Sequence, residues 1–209
     1  MKKYDTKKLT VLALLTAIVV VFQFAGTFIR IGGMFAICPV LIPIVIGAAL
    51  YGPMAGAWLG LAFSITVLIS GDAAAFLAVN VFGTLVTVIA KGTCAGLGAG
   101  FVYKLFAEKE QCAECSAVEG FKGNDTVAAI LAAVASPIIN TGIFLLGCLV
   151  FFMDTIAEWG AALGFASAGS YMILGLAGGN FLFELALNLV LCPVIVRLIK
   201  IRGKMEKKF

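Results

Sequence analysis

Four residues stand out because the apolar runs around them should exclude their side chains: Lys91, Asn140, Asn180 and Glu184. A charged group at bilayer depth costs about 2.5–3.5 kcal/mol on insertion scales, so it needs a partner, a cavity or a solute. Lysine offers a cation that can meet an anionic group, and a carboxylate accepts hydrogen bonds. The asparagine amide does both, donating and accepting. Asn180, Glu184 and Asn188 recur at i, i+4 and i+8, which places them on one slowly drifting helix face. Thr141 adjoins Asn140, and Asn80 opens the apolar run that carries Lys91. These residues can be read in two compatible ways. They line a pocket for a small polar solute, with the amides hydrogen-bonding it and Lys91 meeting an anionic group. Alternatively, Lys91 and Glu184 neutralise each other while the asparagines link helices, as polar side chains commonly do in membrane bundles.

The cysteines offer a different chemistry with less support. Cys38, Cys94, Cys148 and Cys192 lie in apolar stretches, where cysteine acts as a small hydrophobe. Only Cys112 and Cys115 form a C-x-x-C, in the one long polar segment. The sequence holds no histidine and no second cysteine pair to complete a zinc site. A thiol-redox enzyme using Cys112 and Cys115 therefore stands only as an alternative, beside a non-transport membrane scaffold. No metal or other cofactor is expected.

Composition fixes the setting in which these residues sit. Of the 209 residues, 62% are hydrophobic and 12% charged, against roughly 45–50% and about 25% in soluble domains. The excess exceeds what one soluble core can bury, which excludes water-soluble enzymes and nucleic-acid binders. The chain is expected to be an all-α polytopic membrane protein, one integral membrane domain over 1–209.

The positioning elements are organised around the stretch 44–69, which Gly52-Pro53 cuts in two. Proline lacks an N–H and disfavours helix at the residue before it, so one helix ends near Tyr51 and the next begins at Pro53. Six transmembrane helices are expected, at about 9–29, 35–51, 53–70, 80–106, 126–152 and 171–198, each near the roughly 20 residues that cross a bilayer. The segment 70–80 reads as a loop or shallow stretch, 107–125 as a polar loop, and 153–170 as mixed, with Trp159 suited to a membrane interface. Gly52, Gly56 and Gly60 recur every four residues, and so do Gly92, Gly96 and Gly100. Such ladders let backbones approach closely in lipid. On this layout Lys91 lies about eleven residues into its helix, roughly 16 Å deep, and Glu184 about thirteen residues in, roughly 20 Å deep.

Thirteen of the fifteen Lys and Arg residues fall at the N-terminus, around the 107–125 loop, or in the C-terminal tail. By the positive-inside rule both termini and that loop are cytoplasmic. No G-x-x-x-x-G-K-[ST] occurs, so the chain carries no P-loop of its own. Its halves show no convincing inverted repeat. If the chain moves a solute, the energy comes from elsewhere.

Taken together, these features resemble the substrate-binding (S) component of energy-coupling factor vitamin transporters. The points of similarity are a six-helix chain of this length, a short basic N-terminus, Ala13-xxx-Ala17 in helix 1, and I-P-I-V-I-G-A-A-L-Y-G-P-M-A-G-A-W-L-G at the helix 2–helix 3 junction. The similarity runs over nearly the whole chain. It implies a pocket on the extracellular side, made by the outer loops and helices 4 to 6. It also implies docking of helix 1, through Ala13 and Ala17, to a transmembrane coupling subunit driven by two ATPase subunits. The stretch A-A-I-L-A-A-V-A-S-P-I-I-N-T-G-I-F-L-L-G looks most like pantothenate-type members. Folate, riboflavin or another water-soluble vitamin are the alternatives. Lys91 stands where such proteins often carry a basic residue in helix 4, here lysine rather than arginine.

Overall fold

The structure is a computed structural model that describes residues 6–28, 30–31, 35–36, 39–108 and 123–206. Cys112 and Cys115 lie outside the described residues. Among the described residues, five helices are long and apolar enough to cross a membrane: Thr6–Thr27, Pro53–Ser70, Val81–Ala107, Thr126–Phe151 and Ala168–Val194; a sixth apolar helix, Leu41–Tyr51, is shorter. Full helix bounds are α1 Thr6–Phe28, α2 Leu41–Tyr51, α3 Pro53–Ser70, α4 Ala74–Val79, α5 Val81–Glu108, α6 Gly123–Phe151, α7 Met153–Ala162, α8 Ala168–Ser170 and α9 Gly179–Glu206. The expected helical bundle is what these elements form.

The junction between α2 and α3 follows from its two central residues. Gly52 adopts φ +91°, a conformation that disfavours a side chain, and Pro53 takes the first position of α3, where a missing donor costs nothing. The two glycine ladders meet face to face. A side-chain carbon on Gly60 would strike the Gly92 carbonyl, and one on Gly56 the Gly96 carbonyl, while Gly100 faces the backbone of Pro53. The helices run antiparallel, so the two i+4 repeats stay in register over about two turns. Ser64 stitches the same seam by donating to Gly60 O at 3.0 Å and Val88 O at 2.7 Å.

Three boundaries differ from the sequence expectation. Helix 2 begins at Leu41, not near residue 35, because Phe35–Ala36 pair antiparallel with Arg30–Ile31 as a two-residue ladder, β1 (Arg30–Ile31) with β2 (Phe35–Ala36). Pro39 enforces the later start, since a proline disfavours helix at the residue before it. At 11 residues, α2 rises about 16 Å, half of a bilayer core of about 30 Å. The outer segments 70–80 and 153–170 are not plain loops, since they fold into α4 and α7. The last span enters through α8 and a π-helical segment, Tyr171–Gly178, before continuing as α9.

The topology has a direct check. In a cysteine-free background, Ala74→Cys in α4 and Ala157→Cys in α7, both exposed, are expected to react with a membrane-impermeant maleimide added to intact cells. A cysteine at position 114 is expected to react only after permeabilisation. Labelling of 114 from outside would invert the arrangement.

Candidate functional site

A cavity of about 250 Å³ lies toward the end of the bundle away from Thr6 and Glu206, among α3, α4, α5, α6 and the last span. Lys91, Asn140, Thr141, Asn180 and Glu184 all line it. Two predicted members do not. Asn80 instead caps α5, its Oδ1 accepting from Gly83 N–H at 3.0 Å. Asn188 sits one helical turn deeper than Glu184, 1% exposed, below the cavity wall.

Val40, at the N-terminal flank of α2, is fully buried and lines the cavity. Opposite, α5 brings Thr84, Thr87, Val88 and Lys91 to the wall at helical spacing. The Lys91 ammonium lies 5.8 Å from the centroid of the Phe63 ring and 5.3 Å from that of Phe144. The two aromatic faces attract the cation, about 0.5–2 kcal/mol each depending on desolvation, and fix where its charge is presented.

Glu184 is 6% exposed and organises the amides. It accepts from Asn180 Nδ2 at 3.1 Å and from Asn140 Nδ2 at 3.4 Å. With its N–H engaged there, Asn140 presents Oδ1 as an acceptor. That oxygen and Thr87 Oγ1 are both buried with no hydrogen-bond partner among the described residues. Leaving a buried polar atom unsatisfied costs about 1–3 kcal/mol, so each gains from a partner brought by a ligand.

Sequence reasoning missed the outer rim. Asp72, in the turn before α4, accepts from Gln23 Nε2 and from Thr27 Oγ1 at 3.1 Å, both on α1, and from Ser70 Oγ at 3.3 Å. Gln23 and Asp72 also line the cavity. Above them Phe76 of α4 packs edge-on against Phe144 at 5.8 Å, Phe152 at 5.1 Å and Trp159 at 5.5 Å between centroids. Trp159 is thus half-buried against Phe76, behind the cavity wall. The cavity has a polar floor and an aromatic wall of Phe76, Phe144 and Phe152. Of the proposed docking residues, Ala13 and Ala17 are both exposed on α1, on a side that also turns Leu14 and Val21 outward.

A bundle of membrane-length helices around a small, partly polar cavity is the architecture of an integral membrane protein with room for a small solute. The family comparison says which kind. The chain matches the family model described as ECF transporter, substrate-specific component, over residues 7–196, and it belongs to that family. It is therefore a multi-pass cell-membrane protein and a substrate-binding subunit of an energy-coupling factor importer. Members of this family are transport subunits, and membership implies association with a transmembrane coupling subunit and ATPases. No curated protein and no solved structure matches the chain.

Proposed function

We propose that this subunit captures a small water-soluble vitamin bearing a carboxylate, with pantothenate the leading candidate, and hands it to a coupling subunit energised by two ATPase subunits. The observation that carries this reading is the convergence of a fixed lysine cation and two unpartnered buried oxygens, Asn140 Oδ1 and Thr87 Oγ1, at one cavity. A ligand carboxylate pairs with Lys91. Its hydroxyl or amide hydrogens donate to Asn140 and Thr87, and Asn180 and Thr141 extend the polar wall. Glu184 acts by holding the two asparagine amides in orientation.

Size favours the same class. A volume of about 250 Å³ lies just under the range of roughly 300–1,000 Å³ usual for ligand pockets, which suits a short, flexible molecule.

The test is direct. Mass spectrometry of small molecules retained by the purified protein is expected to find a carboxylate of this size. Lys91→Met is expected to weaken pantothenate binding tenfold or more, since a charge-assisted contact contributes about 1.5–3 kcal/mol and about 1.4 kcal/mol is a factor of ten. A neutral ligand should barely respond to the substitution. Unchanged pantothenate affinity in folded Lys91→Met protein would make the lysine structural and remove the main physical support for this substrate.

A further inference from the structure

A second recess, about 520 Å³, runs between α6 and α9 at the opposite, cytoplasmic end of the bundle. Its walls are almost entirely apolar: Ile130 from α6, and Leu189, Cys192 and Val196 from α9. Its polar members lie at one end only. Thr126 stands in the first turns of α6, and Arg197 lies three residues past the end of the last membrane span at Val194. Arg197 is exposed, and among the described residues it makes no hydrogen bond or ion pair. The helix continues through Lys200, Arg202 and Lys204 to Glu206.

The dimensions of the recess match half a bilayer. From Leu189 to Arg197 a helix rises about 12 Å, close to the roughly 15 Å of one hydrocarbon leaflet. An apolar channel of leaflet depth therefore ends in a cation at headgroup level, on the face where anionic lipids gather. Basic recesses between transmembrane helices on the cytoplasmic side are suited to phosphate headgroups, and a guanidinium matches phosphate geometry with two parallel donors. A protein helix would also fill the apolar part, but nothing in such a partner requires an unpaired arginine at the headgroup plane.

We infer that this recess is a binding site for an anionic phospholipid of the inner leaflet. One acyl chain lies along Leu189, Cys192 and Ile130, and the phosphate seats on Arg197 with Thr126 beside it. The site shares no residue with the outer cavity, so it stands or falls independently of the vitamin assigned there.

The full-length purified protein, titrated with phosphatidylglycerol and with phosphatidylcholine and followed by native mass spectrometry, tests the site. Wild type is expected to retain phosphatidylglycerol in preference to phosphatidylcholine. Arg197→Gln is expected to reduce that preference about tenfold, the loss of about 1.4 kcal/mol. Leu189→Trp, which fills the recess but leaves the charge in place, is expected to lower occupancy by both lipids. Lys104→Gln, at the same membrane face on α5, is expected to change neither. A lipid preference that survives Arg197→Gln would overturn the proposal. So would a Leu189→Trp protein with normal lipid occupancy but an altered oligomeric state or weakened assembly with the coupling subunit, which would make the recess a protein interface.

Discussion

Ala13→Trp combined with Ala17→Trp is expected to abolish uptake by the assembled transporter while leaving ligand binding by the isolated subunit intact. Both alanines face away from the bundle on α1. Two indoles there extend from exposed positions of the described residues, so the fold and the cavity should not register them. A partner helix that relies on small residues for close backbone approach would be pushed away, because membrane association of this kind rests on van der Waals fit. The discriminating measurement pairs uptake in cells with ligand affinity in detergent. Joint loss of both would mean that α1 is an internal element and that the docking assignment is wrong. Retained uptake would move the docking face elsewhere.

The second large effect lies in the α3–α5 seam. Gly60→Leu places its first side-chain carbon on the Gly92 carbonyl, with the Gly92 carbon and the Thr93 backbone close behind. No flexible side chain is available to yield, so the helices must separate. Overpacking commonly costs about 1–3 kcal/mol where neighbours can shift, and a backbone obstacle belongs at or above the top of that range. The expected result is a protein that loses its monodisperse, folded population on size-exclusion chromatography. Gly142→Leu on α6 is the matched control, because nothing lies within 4 Å of the carbon it would add. Equal behaviour of the two variants would show that the glycine ladders do not hold the bundle.

Much of this was legible from residue type and spacing, for identifiable reasons. Lys91, Asn140, Asn180 and Glu184 could be picked out because their burial in lipid is costly, and the cavity brings them together. The glycine seam could be read because i+4 repeats of the smallest residue have few other uses in a membrane helix. Asn80 caps a helix and does not line the cavity, and the sequence carries the signal for that role. An asparagine just before an apolar helix is an N-cap candidate first, and its Oδ1 does bond the Gly83 N–H. Pro39 likewise marked the late start of α2, against the pull of an unbroken apolar run. Gln23, Asp72 and Phe76 were not legible. Each is ordinary in its own segment, and they matter only once the turn at Gly71, φ +85°, folds α4 back over the bundle. Asn188 carries the same helical phase as Glu184, and only the depth of the cavity separates the two.

The ties from Asp72 to Gln23 and Thr27 carry a thermodynamic consequence. Ala17 and Gln23 are six residues apart on one helix, so roughly 9 Å of rod separates the outward alanine face from a side chain in the cavity wall. The same rod is fastened through Asp72 to the turn before α4. A change of tilt in α1 is therefore also a change in the walls around the solute. If a partner on the alanine face favours one tilt, it alters solute affinity by some factor, and linkage requires the solute to alter partner affinity by the same factor. Loaded and empty subunits would then differ in affinity for the coupling subunit, with the bias set by the stiffness of a single helix and the hydrogen bonds that Gln23 and Thr27 donate to one carboxylate.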